Sequence, residues 1–99
     1  MSKANTIRKT EEFDEWLGKM KDRKGRSIIT ARIAAAETGN FGDCEPVGDG
    51  VSEMRVHFGP GYRVYLKQVA SVVYVLLCGG SKASQKKDID KAKQMAKDL

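Results

Sequence analysis

The stretch SEMRVHFGPGYRVYLK, Ser52 to Lys67, holds two alternating runs on either side of Gly59-Pro60-Gly61. Alternation with a Gly/Pro interruption predicts a β-hairpin. With those three residues as the loop, Phe58 pairs with Tyr62, His57 with Arg63, Val56 with Val64, Arg55 with Tyr65, Met54 with Leu66 and Glu53 with Lys67. Side chains alternate across a sheet, so these pairs sort into two faces. Phe58, Tyr62, Val56, Val64, Met54 and Leu66 suit a core. His57, Arg63, Arg55 and Tyr65, with Glu53 and Lys67 at the far end, are expected on an exposed face. The single histidine of the chain is then expected beside two arginines and a tyrosine.

The 99 residues make one domain, residues 1–99, with apolar content expected to fill a single core and not two. The net charge of +5 is unevenly spread. Residues 1–50 carry nine basic and nine acidic side chains, whereas residues 51–99 carry nine basic and four acidic ones. The positive excess thus falls in the half containing the hairpin, which suits either a polyanionic partner, RNA or DNA first, or solubility alone. Cys44 and Cys78 lie far apart and, with one histidine, make no zinc-ligand set. Cys78, in an apolar run, reads as a buried small hydrophobe, and no disulfide is called for. No metal and no cofactor are expected. The first ten residues lack the apolar core of a signal peptide, and no apolar run approaches membrane-spanning length. A cytoplasmic protein without a membrane partner is expected.

Outward from the hairpin, Thr6 to Lys9 reads as a short first strand. Thr10 can cap a helix with Glu11 and Glu12 in its first turn and Phe13, Trp16, Leu17 and Met20 at helical spacing. Lys21 to Gly25 reads as a polar turn, its basic residues solvated or touching a nucleic acid backbone. A second helix follows from about Arg26 to Thr38, with Ile29, Ile33 and Ala36 inward and Gly39 as its stop. The short link makes these two an antiparallel helix pair. Asn40 to Gly50 is mostly loop, with a short strand near Asp43 to Val47 that Pro46 restricts to an edge. After a connection at Gln68 to Ser71, Val72 to Leu77 is apolar on both faces and reads as a central strand stopping at Gly79-Gly80. Ser84 can cap a last helix from Gln85 to about Asp98, with Ile89, Ala92, Ala96 and Leu99 as its apolar stripe. Helices at both ends and strands between them predict an α+β domain with a mainly antiparallel sheet.

Gly79-Gly80-Ser81-Lys82 lacks the spacing of a phosphate loop. What remains is His57, Arg55, Arg63 and Tyr65 on the hairpin, with Lys82 just after the central strand, five groups able to converge on one phosphate. The set suits metal-free RNA cleavage, in which the 2′-hydroxyl is the nucleophile. The protein then holds the strand in line, moves protons and stabilises charge on the phosphate. His57 is the proton-transfer candidate, and two neighbouring arginines favour its neutral form. Arg63 and Lys82 are candidates for the phosphate, and Tyr65 for stacking on a base. An ordinary surface cluster of the same residue types remains the alternative at this point.

Four segments taken together, Glu53-Met54-Arg55, Gly59-Pro60-Gly61-Tyr62-Arg63-Val64-Tyr65, Leu76-Leu77-Cys78-Gly79-Gly80-Ser81-Lys82 and Gln85-Lys86-Lys87-Asp88-Ile89, closely resemble the RelE/ParE superfamily of bacterial toxins. Within it they look like the HigB-like addiction module killer proteins. The resemblance runs from about Ile7 to the C-terminus. It implies a RelE-like domain, with an N-terminal helix pair and a C-terminal helix on a curved sheet, acting as an mRNA interferase on the ribosome without a metal. It also implies a helix-turn-helix antitoxin as partner, through which the complex binds operator DNA. By position, Arg63 matches the central arginine of the family's GYR motif. Arg55 and His57 fall where relatives carry basic or histidine residues, and Lys82 matches a basic residue after the last strand. These four are the catalytic candidates, and Tyr65, Gln85, Lys86 and Lys87 the RNA-binding ones. RelE has a tyrosine in its C-terminal region, and this chain has none after Tyr74. Either His57 or a lysine takes that role, or the chemistry differs. A ParE-like gyrase inhibitor without nuclease activity, or a non-catalytic nucleic-acid-binding module, are the competing readings.

Overall fold

Gly59 and Gly61 both adopt positive φ, at 57° and 76°, and turn the hairpin. The computed structural model, which describes residues 4–99, sets the strands as β3 (Val51–Val56) and β4 (Tyr62–Ala70). Val56 pairs with Tyr62, Arg55 with Arg63, Met54 with Val64 and Glu53 with Tyr65. The connection is therefore longer than Gly59-Pro60-Gly61. The Phe58 N–H donates to Val56 O at 2.9 Å and the Gly61 N–H to Phe58 O at 3.0 Å, so His57 and Phe58 leave the ladder. The register moves by two residues, which changes every partner but leaves each side chain on its expected face.

Among the described residues three further strands and three α-helices frame this hairpin. β1 (Thr6–Lys9) lies where the sequence placed it, followed by α1 (Glu11–Gly18), α2 (Arg23–Glu37), β2 (Cys44–Gly48), β5 (Val73–Ser81), a 3-10 turn at Lys82–Ser84 and α3 (Gln85–Lys97). The sheet order is β1-β5-β4-β3-β2, antiparallel throughout except for the parallel β1–β5 pair. Pro46 sits on the edge strand β2, where a missing N–H costs no ladder bond. β4 and β5 run longer than expected. β4 covers Gln68 to Ala70, and β5 continues through Gly79 and Gly80 to Ser81.

Thr10 caps α1 as expected, its Oγ1 accepting from the Phe13 N–H at 3.0 Å. α2 begins earlier than its apolar pattern suggests. Asp22 caps it by accepting from the Gly25 N–H at 2.9 Å, so Arg23, Lys24 and Gly25 are its first turn and not a free loop. Asp22 also accepts from the Tyr62 hydroxyl at 2.7 Å, tying this cap to the start of β4. The Gly25 bond and then the Tyr62 bond hold its carboxyl below the ordinary range. Gly39, at φ 97°, ends the helix as expected.

Phe13, Ile29, Ile33, Met54, Val56, Tyr62, Val64, Leu66 and Leu76 form one core between the sheet and the first two helices. The opposite face is not open. Val51, Tyr65, Val75, Leu77 and Cys78 meet Ala92 and Ala96 of α3 in a second core. The expected single core is thus two, because the small inward residues of α3 let the helix lie close on the sheet. Leu99, assigned to that stripe, is instead 57% exposed past the end of α3. Both cysteines are free, and burial, the foremost cause, pushes the Cys78 thiol up to about 12.

Gly79 and Gly80 let both layers approach. A Cβ at Gly79 would overlap the Trp16 ring, and one at Gly80 would overlap the Asp88 carboxylate. Trp16 also packs edge-on against Tyr62, with ring centroids 6.3 Å apart. Gly79→Ala is expected to cost roughly 1–3 kcal/mol through overpacking against the Trp16 ring, which has to shift. A lowered urea midpoint with a shifted Trp16 fluorescence maximum is the expected readout.

Candidate anion-binding site

Alternation on three adjacent strands stacks two polar rungs on the face under α3. Arg55, Arg63 and Gly80 are Cα partners across β3, β4 and β5. Glu53, Tyr65 and Cys78 form the next rung on that face. Gln85, the first residue of α3, reaches down to them.

Glu53 is the hub, and it is fully buried. Its carboxylate accepts from the Tyr65 hydroxyl at 2.9 Å, from Arg55 Nε at 3.0 Å, and from Gln85 Nε2 at 2.8 and 3.1 Å. Burial works to raise its pKa. The bonds from Gln85, Arg55 and Tyr65, with the charge of Arg63, outweigh that and hold it below the ordinary carboxylate range. Tyr65 is pushed the other way, by burial and then by its bond to Glu53.

Arg63 is 7% exposed, yet among the described residues its side chain makes no hydrogen bond and no ion pair, and its Nε is buried without a partner. Glu53 acts on it only through space. A guanidinium nitrogen withdrawn from water without an acceptor is costly, which makes the position a candidate for an anion from outside. Lys82, in the turn after β5, is exposed, and its Cβ lies where a Cβ on Gly61 would touch it, at 3.3 Å. It therefore stands beside the hairpin loop, next to the rung that carries Arg63. Ser84 occupies the N-terminal position of α3, but its hydroxyl does not cap the helix. It accepts from the Ser81 N–H at 3.2 Å and donates to Asp88 at 2.5 Å, stitching the turn over Gly80.

The expected residues therefore divide. Arg55, Arg63 and Lys82 gather at one end of the sheet. Arg63 and Tyr65 are buried under α3 and not on an open face. Tyr65, fully buried with its hydroxyl on Glu53, has no ring face free for a base. Gln85 is turned inward onto the same carboxylate. Lys86 and Lys87 remain exposed on the first turn of α3, bordering a shallow depression with Ala83, Ser84 and Asp90. His57 does not face Arg63. It lies just beyond β3, and its Nε2 is 2.6 Å from Asp43 Oδ2. A carboxylate, and not the arginine pair, is its partner.

Sequence reasoning missed Asp43 and Arg32. Arg32, half-buried on α2, donates to Arg55 O at 2.6 Å, Phe41 O at 2.9 Å and Asp43 O at 3.4 Å, clamping the segment that carries Asp43. An isolated arginine within a helix pattern gave no sign of this. Among the described residues no group of three or more His, Cys, Asp or Glu side chains is placed to hold a metal ion, and no helix is long and apolar enough to cross a membrane.

No family model matches the chain, and no solved structure matches it. It is 48% identical over 93 residues to an uncharacterized protein of Haemophilus influenzae, an alignment that covers 94% of this chain and 94% of that protein. Identity of that level along nearly the full length of both means one fold and common descent, and the chain belongs to the family of this Haemophilus protein.

Proposed function

We propose that the chain is the toxin of a type II toxin–antitoxin pair, a RelE-like endoribonuclease that cuts messages on the ribosome using the RNA 2′-hydroxyl as nucleophile. The observation that carries this reading is Arg63, nine-tenths buried without a partner among the described residues, beside Arg55 and the exposed Lys82. A phosphodiester supplies the missing anion, and a guanidinium can bind two of its oxygens at once. Because Glu53 is already engaged by Arg55, Tyr65 and Gln85, Arg63 stays free for the phosphate. Lys82 adds charge as negative charge builds on phosphorus, and Lys86 and Lys87 follow the RNA backbone along α3. Tyr65 and Gln85 serve by holding Glu53 and not by touching RNA. The sequence motifs of the RelE/ParE type and the α+β architecture fit this reading, with a helix-turn-helix antitoxin as partner.

The experiment is cleavage of a ribosome-bound message, mapped by primer extension. Cuts that need ribosomes and disappear when the nucleotide at the cut is 2′-deoxy are the expected result. Lys82→Ala is expected to slow cutting by about tenfold or more, as for loss of one charge-stabilising donor, while antitoxin affinity changes far less. Equal loss of both would give Lys82 a structural role instead.

One observation favours a second reading, a ParE-like toxin that inhibits gyrase by binding. Of the five groups expected on one phosphate, Tyr65 is sealed under α3 and His57 is turned to Asp43. DNA breaks with intact messages in cells expressing the protein would select it. A non-catalytic nucleic-acid-binding module would not arrest growth at all.

A further inference from the structure

His57 is the single histidine of the chain, 70% exposed, with Nε2 on the Asp43 carboxylate. The carboxylate is not a wandering surface group. The Arg55 N–H donates to Asp43 O at 2.8 Å, Arg32 donates to the same oxygen, and the Gly42 N–H is held by Asn40 Oδ1 at 3.0 Å. Backbone bonds thus fix the segment before β2, and the side chain of Asp43 is aimed along the end of β3. Arg55 Nη1 lies 3.8 Å from Asp43 Oδ1, so the pair borders the rung that holds Arg63. The bond from His57 is the foremost reason that the Asp43 carboxyl sits below its ordinary range, with the charges of Arg55 and Arg32 adding to it against desolvation.

A histidine whose Nε2–H is spent on a carboxylate presents Nδ1 as its free lone pair. We infer that Asp43 is a positioning residue for His57, holding the imidazole so that Nδ1 is the base at the rim of the Arg63 site. This role rests on the nuclease reading above. In the step it serves, the 2′ oxygen bonds to phosphorus while its proton passes to Nδ1. The bond from phosphorus to the 5′ oxygen breaks, and that oxygen takes a proton from water. The products are a 2′,3′-cyclic phosphate and a 5′-hydroxyl, and the imidazolium, stabilised by Asp43, returns its proton to solvent.

The test measures kcat and KM for cleavage of a ribosome-bound message by the wild type, Asp43→Ala, His57→Gln and the double variant. Asp43→Ala is expected to lower kcat by about tenfold or more, within the range that positioned proton transfer supplies, with KM nearly unchanged. In the His57→Gln background, Asp43→Ala is expected to add nothing further. A wild-type kcat in Asp43→Ala, or a loss that falls on KM, overturns the role of Asp43 and leaves the nuclease reading standing, as does a full extra loss in the double variant. A wild-type protein that is folded but cuts no message overturns the nuclease reading and this role with it.

Discussion

Arg63→Met is expected to lose message cleavage by about 10²–10³-fold, the cost of removing a donor aimed at developing negative charge, while folding as stably as the wild type. Both halves follow from the surroundings of Arg63. The residue is nine-tenths buried, its Nε has no partner, and no carboxylate lies within ion-pair distance among the described residues, so in the free protein its desolvation is offset only by the charge of Glu53 acting through space. An unbranched apolar side chain of similar length fills the same space without that cost. Arg63→Ala is expected to lose the same activity, with some loss of packing. Primer extension on ribosome-bound message gives the first half and urea unfolding the second. A variant that cut normally would place the site elsewhere. One that failed to fold would show Arg63 to be part of the scaffold.

Glu53→Ala is expected to do the reverse, destabilising the fold by about 3–5 kcal/mol, as for a buried charge pair that loses one member. Truncation would leave the Tyr65 hydroxyl, Arg55 Nε and the Gln85 amide without their acceptor, and it would remove a negative charge that acts on Arg63 through space. The pH dependence is fixed by the direction of the shift. The folded-state pKa of Glu53 is depressed below its ordinary value of 4.5. Its contribution is therefore present above about 4.5 and is lost as pH falls through the lower folded value. Glu53→Gln is expected to be less stable than the wild type at neutral pH and to lose less on acidification. Parallel curves for the two proteins across that window would mean that the carboxylate carries no net charge stabilisation.

The hairpin faces were legible because alternation is robust to a register error of two residues. Arg55 and Arg63 share a face in either register, whereas the pairing of His57 with Arg63 depended on where the turn closed. No residue pattern announced that Phe58 would fold back on Val56. The burial of Arg63 and Tyr65 was legible in part and was missed. Ala92 and Ala96 make an apolar stripe that needs a sheet face to cover, and β4 and β5 offer only this one once α1 and α2 have taken the other. The charge pattern drew attention away from that geometric need. Alternation puts Glu53 at the far end of a face expected to be exposed, and only its three donors, drawn from three segments, make its burial tolerable. Asp43 and Arg32 act through backbone carbonyls and through a loop-to-strand contact, neither of which leaves a spacing signature.

The parallel pairing of β1 with β5 sets an order on assembly. Thr6 to Lys9 leave the ribosome well before their partners Val73 to Leu76. Helices α1 and α2 can form while the nascent chain grows, since their caps are local. The first strand must wait with its edge unpaired until the last one appears. Closure of the sheet is thus a late event joining its first strand to its last, and an interrupted synthesis product that stops short of Val73 is expected to be an open, protease-sensitive fragment.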